Sequence, residues 1–197
     1  MTYSSEQTKL RIIESAIIEF EKNGFDKANL RNIAKMSYVT TGAIYNHYGS
    51  KENVFNKIVS EVASGLLKLY EKLHEDMKDT PMSDMNDVFD QTTGLILEYL
   101  YDNWVAIKML FNSAKGSSYE NFSEKLIEIE EKSTLYALER QGVVVDKSVA
   151  FFVHVISSAR VEQFIEVVVH ELEKEEAFKY MRTMQDFYSH GFEKLFK

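Results

Sequence analysis

Cysteine is absent from the 197 residues, proline occurs once and glycine eight times. Without thiols the chain cannot form a disulfide, a Cys-ligated zinc site, an Fe–S cluster or a thiol nucleophile. So little proline and glycine leaves scant turn chemistry, which favours long helices over many short strands. Long apolar runs are missing too: stretches such as Val167-Val168-Val169 fall far short of the roughly 20 residues a membrane span needs. The first residues (Thr2, Ser4, Ser5, Glu6, Gln7) are polar, unlike a secretory leader, so the expectation is a soluble, cytoplasmic protein with no membrane partner. What is present is ordinary for a globular chain: 45% hydrophobic and 27% charged residues argue against disorder, and the length fits one or two domains.

The hydrophobic pattern is helical throughout. Leu10, Ile13, Ile17 and Phe20 recur at three and four residues, the stripe of an amphipathic helix. Ser4 and Gln7 have capping-box spacing at its start, and Asn23-Gly24 is a stop signal. Asn29 is placed to cap a short helix to Met36, Thr40 a second ending near Tyr48, and Ser50 a long one striped by Val54, Ile58, Val62, Leu66, Leu69 and Leu73. Beyond Asp79-Thr80-Pro81, Ser83 opens a segment to Asn103, and Trp104 to Ala114 reads as a short apolar helix. Ser117 and Glu120 have capping-box spacing before a helix closing at Gln141-Gly142. Asp146 starts a long helix to Leu172, and residues 175–196 form the last. The pattern predicts an all-α fold of about nine helices.

The two short helices, Asn29–Met36 and Thr40–Tyr48, have helix-turn-helix proportions, in which the second helix enters the DNA major groove by its N-terminal residues. That helix begins Thr40-Thr41-Gly42-Ala43, small side chains that let backbone approach a duplex, with hydroxyls able to bond phosphate or bases. Tyr45, His47 and Lys51 follow where they can meet the phosphate backbone. The charge divides accordingly. The net −8 resolves into +2 over residues 1–57, which include Arg31, and −10 over the remainder, a basic head on an acidic body.

The stretch Phe20-Glu21-Lys22-Asn23-Gly24-Phe25, then Asn29-Leu30-Arg31-Asn32-Ile33-Ala34, then Thr40 through Glu52 resembles the TetR (tetracycline-repressor) family of bacterial regulators. The resemblance covers about the first 60 residues. It implies a helix-turn-helix DNA-binding domain at 1–50 (helix-turn-helix about 29–48, the family domain reaching about residue 66) and a ligand-binding and dimerisation domain at 51–197. It further implies a homodimer on a palindromic double-stranded DNA operator, and a small-molecule effector whose binding releases DNA. By matching position, Thr40 caps the reading helix and touches phosphate, and Thr41, Gly42 and Ala43 face bases. Tyr45, His47 and Lys51 hold the backbone, with Asn29 and Arg31 beside them. Tyr38 departs from the family, standing where glycine usually occupies a turn that often needs positive φ. Asn29 replaces a usual Thr, and Gly49 a common Pro.

Aromatic residues crowd the middle helices. Tyr70, Tyr101, Trp104 and Phe111 are expected to line an apolar or flat ligand's cavity, with Glu98 and Glu128 favouring a cationic one. The last two helices are apolar over a wide arc, and Phe151, Val155, Phe164, Val168, Phe187, Tyr188 and Phe192 are expected at a four-helix dimer interface. Glu71 and His74 have the Glu-x-x-His spacing of bundle metal sites, but no second copy exists, so neither metal nor cofactor is expected. No nucleophile–base pair appears, and an enzyme is not expected. A DNA-associated protein of the same fold, controlled by a protein partner instead of a small molecule, is the alternative.

Overall fold

A computed structural model describes residues 4–77 and 85–195, apart from the side chains of 85–87, 192, 193 and 195. Among the described residues there are nine α-helices and no strand: α1 (Ser5–Lys27), α2 (Leu30–Met36), α3 (Thr41–Tyr48), α4 (Lys51–Met77), α5 (Met85–Asp102), α6 (Trp104–Asn112), α7 (Phe122–Arg140), α8 (Lys147–Val169) and α9 (Lys174–Leu195). The expected all-α architecture is what forms. Residues Met1–Ser64 with Trp104–Phe122 make one compact unit, and Gly65–Asn103 with Ser123–Lys197 a second.

Local signals set most helix ends. Ser4 and Gln7 make the expected capping box, and Asn29, Thr40 and Asp146 each accept from backbone N–H groups of the helix they open. Ser50 Oγ accepts from Asn53 N at the start of α4. The Ser117/Glu120 box does not form. Glu120 instead accepts from Gly116 N, Ser117 Oγ from Tyr119 N, and α7 begins only at Phe122. Capping spacing is satisfied here by a turn, because both side chains find donors nearer than a first helical turn. Ser83, expected to open α5, lies outside the described residues.

In the first unit α1 breaks at Gly24, whose φ of 68° and ψ of 165° lie outside the helical region, a backbone state open to glycine and costly for other residues. The break turns Phe25 back so that its ring stacks on Phe20 at 5.9 Å, and both meet Phe55 of α4 edge-on at 5.2 and 5.1 Å. Ile12, Ala16, Ile33 and Ile44 complete a fully or almost fully enclosed core. Helix α6 belongs to the same unit: Phe25 N donates to the Ser113 carbonyl at 2.7 Å, and Lys108 pairs with Glu21 at 3.4 Å.

In the second unit the core draws on Leu66, Leu97, Leu100, Val153, Val161, Val167 and Met181. Tyr101 Oη donates to the Leu172 carbonyl at 2.6 Å, tying the end of α5 to the segment between α8 and α9. Along α4 the most deeply buried line runs Phe55, Val59, Ala63, Leu66, Tyr70. Of the expected stripe, Val54, Leu66 and Leu73 are buried, and Ile58, Val62 and Leu69 are half-buried.

Replacing Phe20 by Ala removes the ring at the centre of the aromatic cluster. It should cost roughly 3–5 kcal/mol of stability, read as a lower urea midpoint. A loss below about 1 kcal/mol would show that the cluster is not the unit's core.

Candidate functional site

The helix-turn-helix is built from α2 and α3 and held from beneath by α1. Asn29 caps α2 by accepting from Arg31 N at 2.9 Å, leaving Asn29 and Arg31 exposed at its first turn. Below them the carboxylate of Glu19, 4% exposed, accepts from Asn29 N at 2.9 Å and from Asn32 Nδ2 at 3.1 Å. Sequence reading missed Glu19. An acid on the inner side of α1 facing two asparagines was its only signal. In the turn, Tyr38 takes a left-handed φ of 54° with its side chain exposed. Arg11 steadies it, donating to the Ser37 carbonyl while its guanidinium lies 5.4 Å from the Tyr38 ring centroid. The tyrosine in a glycine-type position is therefore accommodated as a strained but braced turn residue.

Helix α3 hangs from one buried residue, Ile44. Thr40 caps it, its hydroxyl accepting from Ala43 N at 3.1 Å. Thr40, Gly42 and Tyr45 are exposed, with Thr41, Ala43 and His47 half-buried. A methyl added at Gly42 would meet only Thr40 Oγ1, at 3.7 Å, so nothing within the protein requires glycine there. Tyr48 is held inside the corner, donating to the Lys9 carbonyl at 3.2 Å. Lys51, expected to hold the phosphate backbone, is itself held by carbonyls of the chain. Its ammonium donates to the carbonyls of Phe25, Asp26 and Ala28 at 2.7, 3.2 and 3.2 Å and sits 4.5 Å from the Phe25 ring centroid. The carbonyls freed by the break in α1 recruit it, as helix C-termini attract cations.

The second unit encloses a cavity with room for about one water molecule, walled by Met77, Phe89, Ile96 and Phe164 and by a polar cluster of Tyr70, His74, Glu130, Arg160 and Gln163. Glu130 Oε1 lies 3.0 Å from Arg160 Nε, and Oε2 lies 2.7 Å from His74 Nε2. Burial alone would raise the Glu130 carboxyl. The Arg160 charge, then the His74 bond and charge, outweigh burial and hold it at about 2. The other His74 nitrogen, Nδ1, is 2.8 Å from the Tyr70 carbonyl. Both ring nitrogens of His74 are thus engaged within the chain. Burial pushes the Tyr70 phenol well above its ordinary range, keeping it neutral.

Of the six residues expected to line a ligand site, Tyr70 lines this cavity. Glu98 is exposed and paired with Lys174, Glu128 is exposed, and Tyr101 is bonded to Leu172. Trp104 and Phe111 belong to α6 in the first unit, where Phe111 packs against Phe122 at 6.1 Å. The acid that faces inward is Glu130, two residues beyond Glu128 and so about 200° around the helix. His74, singled out only for its metal-like spacing, is committed to Glu130 and Tyr70. Of the expected interface set, Phe151, Val155 and Phe187 are 69%, 47% and 70% exposed. Phe164, Val168 and Tyr188 are buried within the chain, filling its own core instead of a partner's surface. The Phe192 side chain lies outside the described residues.

Residues 12–58 match the family model "Bacterial regulatory proteins, tetR family". The chain is 31% identical over 81 residues to the probable acrEF/envCD operon repressor of Escherichia coli (strain K12), an overlap covering 41% of this chain and 37% of that protein. It therefore spans little more than a third of the length of that curated relative. Among solved structures, a transcriptional regulator (TerR/AcrR family) from Aquifex aeolicus VF5 superposes with a TM-score of 0.61 at 18% identity, covering 92% of this chain and 99% of that one. The transcriptional regulator FadR from Bacillus subtilis, in complex with stearoyl-CoA, superposes with a TM-score of 0.52 at 15% identity, covering 86% and 95%. At these identities the structures share the fold.

Glu130 is depressed relative to an unfolded carboxyl, so its contribution to stability is fully present above the ordinary carboxylate range. It is lost as pH falls toward about 2. Glu130→Gln should cost roughly 3–5 kcal/mol at pH 7 by leaving Arg160 and His74 unpartnered. It should also flatten the acid limb of a Tm-against-pH curve. Equal slopes in both proteins would show that Glu130 is not depressed in the folded state.

Proposed function

Because the chain belongs to the tetR family of bacterial regulatory proteins, whose members are transcriptional regulators and not enzymes, we propose that it is a sequence-specific DNA-binding regulator. In this reading it is a repressor, released from a palindromic operator by a small, largely apolar or aromatic effector. The observation that carries the reading is the first turn of α3, with Thr40, Thr41, Gly42 and Ala43 around a single buried anchor, Ile44. Small side chains, none of them fully buried, at the free N–H end of a capped helix are what close approach to a duplex requires.

The roles follow from placement. Thr41, Gly42 and Ala43 read base edges, and Thr40, Tyr45 and His47 hold phosphates, with Asn29 and Arg31 extending the contact from the first turn of α2. Lys51 adds positive charge beside that surface from its seat on the end of α1. The relative from Escherichia coli, named as an operon repressor, supports repression. The fold's occurrence in complex with stearoyl-CoA supports a small-molecule effector. The exposed Phe151, Val155 and Phe187 support a homodimer through α8 and α9, which would set two reading heads on half-sites about 34–36 Å apart.

Selection of operators from random DNA should return an inverted repeat. Thr41→Ala should then relax preference at one position by about 1–3 kcal/mol, whereas equal losses on operator and random DNA would remove it from base reading. Gly42→Lys should leave the melting temperature within a few degrees and abolish operator binding. A variant that still binds would move the interface elsewhere. Lys51→Ala should weaken all sequences alike and lower the salt slope by about one unit. An unchanged slope would confine Lys51 to the α1 carbonyls. Phe187→Glu should yield monomers in sedimentation, and a wild type that is monomeric at micromolar concentration overturns the homodimer.

A further inference from the structure

Helix α2 ends in a motif that prescribes the backbone of the residue after its cap. Val39 N donates to the Ala34 carbonyl at 3.0 Å and Tyr38 N to the Lys35 carbonyl at 3.3 Å, the nested pair of bonds that closes a helix through one left-handed residue. That residue is Tyr38, with a φ of 54°. Glycine is the usual occupant of such a position, because a β-carbon is strained there. The turn is pinned from both sides. Ser37, 1% exposed, donates its hydroxyl to the Ile33 carbonyl at 2.6 Å, and Arg11 Nη2 donates to the Ser37 carbonyl at 2.5 Å.

Little in the packing offsets that strain. Tyr38 is 86% exposed, more than any other large apolar or aromatic side chain among the described residues, and its ring meets the Arg11 guanidinium 5.4 Å from the centroid. Glu171, the other non-glycine residue of positive φ among those described, carries a charged side chain for which exposure is ordinary. An aromatic ring held in water on a strained backbone is not ordinary, and such outliers gather where a protein meets what it binds.

Its place in the chain gives the partner. Tyr38 lies one residue past the cap of α2 and two before Thr40, the cap of α3. In a helix-turn-helix on DNA the first helix crosses the backbone and the second enters the major groove, so the turn between them passes over the strand that walls the groove. A phenol there offers a ring face to the deoxyribose and a donor to a phosphate oxygen. We propose that Tyr38 is a DNA-backbone contact added at the turn: its ring packs on a sugar and its hydroxyl donates to a phosphate, with Arg11 positioning the ring. The contact rests on the reading of α2 and α3 as the DNA-binding head. It adds to that head a residue that carries affinity and register, not base preference.

The test uses the full chain with two probes, a duplex recovered by selection from random DNA and a scrambled duplex of equal length. Tyr38→Gly should weaken both about tenfold. It should leave the melting temperature unchanged or raise it by a few degrees, since glycine takes the same backbone without strain. Tyr38→Phe keeps the ring and should lose only the hydroxyl's share, about threefold on both duplexes, so it decides the matter even if the glycine variant unfolds. The salt slope should stay that of the wild type in both variants, because a hydroxyl displaces no counterion. Affinity lost together with several degrees of melting temperature in Tyr38→Gly would make Tyr38 a structural residue and overturn the contact. A loss confined to the selected duplex would overturn its backbone role, and Tyr38→Phe equal to the wild type would overturn the phosphate bond. A wild type that binds neither duplex removes the DNA-binding reading itself, whereas wild-type binding with an indifferent Tyr38→Gly removes Tyr38 alone.

Discussion

The break in α1 at Gly24 is the constraint on which the reading head depends. A left-handed residue one turn before the end of a helix does two things at once. It folds Phe25 back under the rest of α1, seating it on Phe20 and Phe55, and it exposes the carbonyls of Phe25, Asp26 and Ala28, which Lys51 then collects. The same short stretch bonds to Ser113 beyond α6 and leads directly into Asn29, the cap of α2. Four elements thus take their positions from one backbone conformation. A β-carbon at residue 24 would meet no neighbouring atom, so the requirement for glycine there is purely conformational.

The second unit is organised around a charge instead of an apolar ring. Glu130 from α7 ties together α4 through His74 and α8 through Arg160. Ionised throughout the neutral range, it holds one neighbour at each of its two oxygens. Such a cluster is weak evidence for stability, since its desolvation offsets much of its attraction. It fixes side-chain geometry at a place where an apolar core would leave rotamers free.

Legibility in the sequence followed the range of the interaction. The caps at Ser4, Asn29, Thr40, Ser50 and Asp146 depend on residues within one turn, and each was readable. So was helix α3, because small residues after a cap are a local pattern. The α1 break was visible as Asn23-Gly24, but its consequence for Lys51 was not: that contact spans 23 to 26 residues. Ser117 and Glu120 misled because a turn can satisfy the same spacing as a box. In the second unit the failures share one cause. Choosing Glu130 over Glu128 requires knowing that Arg160 stands opposite, and separating Phe151 from Phe164 requires knowing which side of α8 meets its own chain. The hydrophobicity of α8 is spread around the helix, so no stripe marks that side.

Helix α3 divides its labour: Ile44 is buried, Thr40 caps the first turn, Thr41 and Ala43 are half-buried, and Gly42 and Tyr45 are exposed. If α3 reads DNA as proposed, substitutions at Gly42 and Tyr45 change what it presents while falling on atoms that contribute little to folding. On that proposal the protein could drift from one target sequence to another by single steps, each remaining folded.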